Sequence, residues 1–176
     1  MGMTTRASID IDAPREEVFR WITEYDKLTT WMGSAGAMPQ DYSQLKVGFT
    51  AQGTMPVPGG ERTNTLLVTA WDPPGTFACT ITYAGGDSLS TYTLTDNGHG
   101  THLELTGDTD WADTDESAVG KAMEGQSAEA KQAIAAAMQQ MEGMLDQGAF
   151  DAGTQVYLQK AVEDSLATLK GLIEAG

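Results

Sequence analysis

A strand-to-helix junction near the N-terminus decides the fold: Ile11-Asp12-Ala13-Pro14-Arg15-Glu16-Glu17-Val18-Phe19. In residues 4–11, which lead into it, apolar and polar side chains alternate, as is typical of a half-buried β-strand. Pro14 suits the first position of a helix because its missing N–H is not needed there. Glu16 and Glu17 favour the positive end of the helix dipole. The junction therefore predicts a strand followed at once by a helix.

Two short amphipathic helices are predicted after this strand. The apolar side chains of the first recur at helical spacing: Val18, Trp21, Ile22 and Tyr25. Asp26 is expected to cap the second, because an Asp side chain accepts hydrogen bonds from the free N–H groups of a first helical turn. The second helix would turn three apolar side chains inward: Leu28, Trp31 and Met32.

From Leu45 the hydrophobic pattern changes to the alternation of strands. Five such runs occur, at 45–52, 62–71, 76–83, 88–95 and 101–111. Clusters of Gly, Pro, Asn and Asp separate them and predict tight turns. Short strands joined by tight turns form an antiparallel meander, because parallel strands need long crossovers.

The chain becomes helical again after the last predicted strand. Met, Ile and Leu recur at helical spacing over 127–145, and Gly148 and Gly153 are expected to interrupt that helix. A last amphipathic helix is predicted from about residue 154. The expected class is α+β, with a curved antiparallel sheet of about six or seven strands wrapped on the C-terminal helix. The whole chain would form one domain in which 112–150 is a helical insertion.

Charge and composition exclude several classes of function. The chain has 176 residues, with ten Lys and Arg against 25 Asp and Glu, and a net charge of −15. A nucleic-acid binder needs clustered cations, and an anionic membrane surface would repel this chain. Cys79 is the single cysteine, so an intrachain disulfide is impossible. Without signal-peptide features or a long apolar run, we expect a cytoplasmic protein with no nucleic-acid partner and no membrane insertion.

Five segments, taken in order, resemble the START, polyketide-cyclase and birch-allergen-like superfamily, abbreviated SRPBCC: 11–19, 26–31, 67–74, 90–94 and 98–105. The resemblance covers 4–111 and 154–175. It implies a helix-grip fold whose cavity holds a hydrophobic or aromatic small molecule, such as a lipid, sterol or polyketide. Members include carriers, cyclases and protein-binding regulators. Residues 112–150 depart from the pattern, because they are longer than the usual link to the last helix.

The expected ligand site consists of inward-facing positions on the strands and on the last helix. Strand alternation selects Phe49, Leu66, Val68, Cys79, Ile81, Tyr83, Tyr92, Leu103 and Leu105, with Leu158, Val162 and Leu166 facing them. The hydroxyl groups of Tyr83 and Tyr92 and the indole N–H of Trp31 would orient a ligand in an apolar cavity, or pack the core.

Other chemistry-bearing residues are expected to be structural. His99 and His102 are predicted in a turn and on the outer strand face, and neither is assigned a metal or general-base role. The acidic run at 108–116 lacks the Gly and Glu positions of a calcium loop. Cys79 is expected to be a small buried apolar residue. We therefore expect no catalytic residue, metal or cofactor.

Three functions stay open at this point. The leading one is a carrier that sequesters an apolar small molecule between the sheet and the last helix. The second is a cyclase or dehydratase in which Tyr83, Tyr92 or Arg62 polarises a carbonyl or moves a proton. The third is a protein-interaction module built from 112–150, whose Met-rich helix could be core, lid or dimer surface. The chain could then be a monomer or a homodimer.

Overall fold

The computed structural model describes residues 2–57, 60–83, 86–111 and 147–176. Within them, one antiparallel sheet of six strands has the order β1-β6-β5-β4-β3-β2. The strands are β1 Gly2–Ile11, β2 Thr50–Val57, β3 Gly60–Asp72, β4 Thr76–Tyr83, β5 Gly86–Asp96 and β6 Thr101–Trp111. The helices are α1 Arg15–Thr23, α2 Tyr25–Met32 and α3 Gln147–Glu174. The predicted α+β class with a helix-grip architecture is confirmed.

One face of the sheet carries the core, as strand alternation predicts. On β3, for example, Leu66 and Val68 are buried while Leu67 between them is exposed. The largest fully buried side chains come from strands and helices together: Ile11, Phe19, Ile22, Leu94, Leu103, Leu166 and Leu169. This core fills the space between α1, α3 and the part of the sheet nearest β1.

Helix α3 covers a sheet edge with polar side chains. Strand β1 pairs only with β6, so its outward backbone groups have no strand partner. The Gln159 side chain accepts from the Arg6 N–H at 3.1 Å and donates to the Arg6 carbonyl at 2.7 Å. Lys170 donates to the Asp10 carbonyl at 2.6 Å. These contacts satisfy an edge that would otherwise be open to pairing with another chain.

The start of β2 differs from the sequence prediction. Leu45 and Val47 belong to no strand, since a short 3-10 turn, Tyr42–Gln44, and a tight turn precede Thr50. Gly48 has a φ of 84°, a left-handed conformation that glycine adopts without a steric penalty. Val47 is 61% exposed, so the apparent alternation there does not reflect a half-buried strand.

Helix boundaries differ as well. Pro14 lies just before α1 as its N-cap, and Glu24, rather than Asp26, is the N-cap of α2. Asp26 lies in the first turn of α2, where its charge still suits the dipole. Helix α3 begins at Gln147, so Gly148 and Gly153 lie inside it instead of interrupting a helix. The predicted Met-rich helix at 127–145 lies outside the described residues.

The segment 33–38, which follows α2, lies against the inner face of β2. A Cβ atom on Gly53 would lie 2.5 Å from the Gly36 carbonyl oxygen and 2.6 Å from the Ala37 nitrogen. Both are backbone atoms, so the segment could accommodate a side chain only by moving as a whole. Gly53 therefore permits the backbone of 36–37 to approach the sheet.

Replacing Gly53 tests this contact. We expect Gly53→Ala to lower the free energy of unfolding by about 1–3 kcal/mol, the usual cost of forcing extra volume into a packed site. The control is Gly171→Ala in α3, where a new Cβ meets nothing within 4 Å. It should raise stability by up to about 1 kcal/mol, because alanine favours a helix. Urea unfolding monitored by circular dichroism measures both, and equal effects would contradict the packing argument.

Glu174 at the end of α3 makes stability depend on pH. Its pKa is lowered by the hydrogen bond from the Asp12 N–H and by Lys170. A lowered pKa contributes stability above the ordinary carboxyl pKa, and this contribution is lost as the pH falls through the folded-state value. We expect Glu174→Gln to have a lower melting temperature than wild type at pH 7. The difference should shrink as the pH falls below the ordinary carboxyl pKa, because the contribution of the ionised carboxylate is lost as Glu174 takes up a proton.

Candidate functional site

A cavity of about 100 Å³ lies between the sheet and the α2 side of the molecule. Its sheet wall comes from the inner faces of β3, β4 and β5, and its opposite wall comes from α1, α2 and the segment 33–38. Its described lining is Ile22, Leu28, Met32, Ser34, Ala35, Gly36, Ala37, Met38, Asn64, Leu66, Phe77, Cys79, Ile81, Ser90 and Tyr92. Apart from the hydroxyl, thiol and amide groups, this lining is apolar. Met32 is half exposed, which places it where the lining meets solvent.

A row of aromatic rings supports the sheet wall. Phe77 and Tyr92 stack with their centroids 5.9 Å apart and an interplanar angle of 17°. Trp71 packs edge-on against Phe77 at 5.9 Å and against Phe19 of α1 at 5.3 Å. Such offset or edge-to-face contacts are favourable arrangements of aromatic quadrupoles. The ring surfaces of Phe77 and Tyr92 are therefore held in place before any ligand arrives.

Asn64 is the unusual polar residue of this lining. It is 3% exposed, and its strand neighbours in register are Gly53 of β2 and Tyr83 of β4. Among the described residues, its Oδ1 is the buried side-chain oxygen that has no hydrogen-bond partner. An unpaired buried acceptor costs about 1–3 kcal/mol, so this side chain lowers the stability of the fold.

Two of the described lining residues carry titratable groups, and both groups are held in the neutral form. Burial raises the pKa of the Cys79 thiol to about 12. Burial also raises the pKa of the Tyr92 hydroxyl, with a smaller contribution from Cys79. Because desolvation disfavours the charged forms, the thiol is a poor nucleophile and the phenol is a poor general base at neutral pH. The thiol and the hydroxyl can form hydrogen bonds with a guest, but neither group carries a charge at neutral pH.

Four of the predicted ligand residues line this cavity: Leu66, Cys79, Ile81 and Tyr92. Val68, Leu103, Leu105 and Leu166 are buried in the core instead, and Val162 packs against it. Phe49 lines a separate polar surface groove with residues of 36–44. Leu158 and Tyr83 are half-buried and outside the described lining. Trp31 is buried, but its indole N–H already donates to the Trp21 carbonyl at 2.9 Å.

The cavity therefore lies at α2 and the segment 33–38, whereas the sequence pattern predicts a cavity between the sheet and α3. No residue of α3 is among its described lining residues. The wall opposite the sheet was largely unpredicted from the sequence, because the small residues of 33–38 have no periodicity that identifies them as lining residues. Asn64, Phe77 and Ser90 were detectable, because they occupy the same alternating phase as Leu66, Cys79 and Tyr92.

The other candidate residues lie on the surface. His99 is exposed in the turn after β5, and His102 contacts the Asp10 carboxylate at 2.8 Å. Asp108 and Asp110 are exposed on β6, while the rest of the acidic run lies outside the described residues. In the described part of the chain, no group of three or more His, Cys, Asp or Glu side chains is placed to hold a metal ion. None of the helices described here is long and apolar enough to cross a membrane.

The chain belongs to a family described as polyketide cyclase / dehydrase and lipid transport, whose sequence model matches residues 3–139. This places it in the SRPBCC superfamily, as its helix-grip architecture indicates. No curated protein matches the chain. The family match includes 112–139 and ends before α3.

Solved structures share the fold at low sequence identity. A Bacillus halodurans protein, BH1534, superposes with a TM-score of 0.59 at 15% identity, over 97% of this chain and 96% of that one. Ara h 8.0201 superposes with a TM-score of 0.57 at 10% identity over the full length of both chains. CV1439 from Chromobacterium violaceum superposes with a TM-score of 0.53 at 20% identity, over 64% of this chain and 83% of that one. At these identities the comparisons establish the fold and nothing finer.

The buried thiol gives a direct test of the cavity wall. We expect Cys79 to react with iodoacetamide at pH 8 more than about a hundredfold more slowly in the folded protein than in guanidinium chloride, because only the thiolate reacts and burial suppresses it. Mass spectrometry of the alkylated chain over time measures both rates. Rapid labelling of the folded protein, at a rate close to that of the denatured chain, would contradict the burial of this residue.

Proposed function

We propose that this protein binds a small, mostly apolar molecule in the cavity between β3–β5 and the α2 side, as a carrier or sequestering protein. The observation that carries the proposal is a preformed apolar cavity walled by two fixed aromatic rings, with a few polar groups to orient a guest. Ligand sites in proteins combine these same features. The family description, which names both polyketide chemistry and lipid transport, supports this class of ligand.

The lining favours binding over proton transfer. Among the described lining residues there is no Asp, Glu, His, Lys or Arg, and the two titratable groups have raised pKa values. General acid–base catalysis works best when the pKa of the group lies near the working pH. The Tyr92 hydroxyl is therefore better suited to donate a hydrogen bond to a guest than to abstract a proton. Of the other two residues considered for catalysis, Tyr83 is not among the described lining residues, and the side chain of Arg62 lies outside the described part.

The size of the cavity limits the guest. Sites for drug-sized ligands usually measure about 300–1,000 Å³, and this cavity is much smaller at about 100 Å³. It accommodates one ring or a short chain. A sterol or a long acyl chain would require displacement of the segment 33–38, which forms the wall that is not part of the sheet. We therefore propose a ring-sized guest, or a ring-sized part of a larger molecule.

The wider setting of this function is also a proposal. The net charge of −15 argues against partners that present phosphate groups, since like charges repel. A cytoplasmic location agrees with the single buried cysteine, because reduced thiols are typical of that compartment. The interaction module proposed for 112–150 rests on the sequence alone.

Filling the cavity tests the proposed function. Ser90 on β5 lines the cavity, whereas Thr91 beside it lies on the opposite face of the sheet. We expect wild type to bind toluene in calorimetric titration and Ser90→Phe to lose at least about tenfold in affinity, because a phenyl ring would occupy the same space.

The matched control is Thr91→Phe, which adds the same ring to the outer face and should bind toluene as wild type does. Circular dichroism melting verifies that all three proteins are folded. If Ser90→Phe binds toluene as tightly as wild type, the guest does not occupy this cavity. If folded wild type binds no apolar probe, the proposed function fails.

A further inference from the structure

One polar atom in the cavity wall lacks a partner within the described protein. The buried Oδ1 of Asn64 accepts no hydrogen bond there. Its partner in register on β2, Gly53, has no side chain, and Tyr83, its partner on β4, does not donate to this acceptor. The next inward residues on β3 and β4, Leu66 and Ile81, are apolar and supply no donor either.

The surroundings of Asn64 give its amide no stabilising role in the fold. It lies on the inward face of β3, in phase with Leu66 and Val68, where an apolar side chain would pack without leaving a polar atom unpaired. Its position in the wall of an apolar cavity supplies a different reason for the amide. A buried acceptor that is unpaired in the protein favours guests that satisfy it over guests that do not.

We infer that Asn64 determines ligand specificity: turned about its Cβ–Cγ bond so that Oδ1 faces the cavity, its amide accepts a hydrogen bond from a hydroxyl or N–H group on a guest of about one ring in size. The inference rests on the proposed function, since it concerns the same cavity. The stacked rings of Phe77 and Tyr92 provide the apolar contact. The amide then distinguishes a guest that has a donor, such as a phenol, from a methyl-bearing guest of equal size.

Phenol and toluene form the test pair, because they differ only in the hydroxyl and methyl groups. Calorimetric titration measures both affinities for wild type, Asn64→Ala and Thr65→Ala. Thr65 is the next residue on β3 and lies outside the cavity lining, so its truncation is the matched control. We expect the ratio of phenol affinity to toluene affinity to fall at least about fivefold in Asn64→Ala and to stay at the wild-type value in Thr65→Ala. Comparing ratios cancels the different hydration of the two probes.

A second measurement needs no variant and applies even if Asn64→Ala does not fold. In wild type, the ¹³C resonance of the Asn64 side-chain carbonyl should shift when phenol saturates the site and stay close to its free position with toluene. A ratio that falls less than about fivefold in folded Asn64→Ala, or a carbonyl resonance that responds equally to both probes, overturns the inference while the proposed function stands. If wild type binds neither probe, both fail together.

Discussion

The backbone of Gly36 and Ala37 rests directly on Gly53 of β2, and this close approach shapes the candidate site. With a side chain at position 53, the segment 33–38 would stand further from the sheet. The cavity between them would then be wider and more open to water. The segment ends α2 at Gly33, whose φ of 76° turns the chain out of the helix and toward β2. The lining on the α2 side thus follows from two glycines that are far apart in sequence.

The sheet is used differently at its two edges. Toward β1, the large side chains of α1 and α3 fill the interior, and polar residues of α3 satisfy the backbone of the edge strand. Toward β2, the sheet is covered by the segment 33–38, which is not helical and consists mostly of small residues. Small side chains leave space that Leu or Phe would fill, and native cores tolerate few such voids. A void maintained beside two aligned rings and a polar side chain is therefore the part of this molecule best suited to binding.

The sequence predicted the strands better than the walls around them. The bounds of β4 and β6 matched because a cluster of turn residues precedes each strand and ends the strand before it. Around Gly48 the alternation of apolar residues was misleading. Leu45 ends a 3-10 turn and Val47 lies in the tight turn that follows, so neither belongs to a strand. Periodicity reports which face of an element is buried, but it does not report what packs on that face. The periodicity predicted that Cys79 and Tyr92 face inward, but it could not predict that the segment 33–38 packs over them.

The energetics of a small cavity give its polar group a large share of the selectivity. An aromatic ring buries about 200 Å², and at about 25 cal/mol per Å² this contributes about 5 kcal/mol before the costs of association. Such a free energy corresponds to affinities in the millimolar to high micromolar range. Apolar contact would thus hold many ring-sized molecules about equally and weakly. An unpaired acceptor changes this balance, since a guest with a donor removes a cost of about 1–3 kcal/mol that every other guest leaves in place. In a cavity of this size, Asn64 therefore decides which guest is bound, whereas Phe77 and Tyr92 decide only that a ring can be bound.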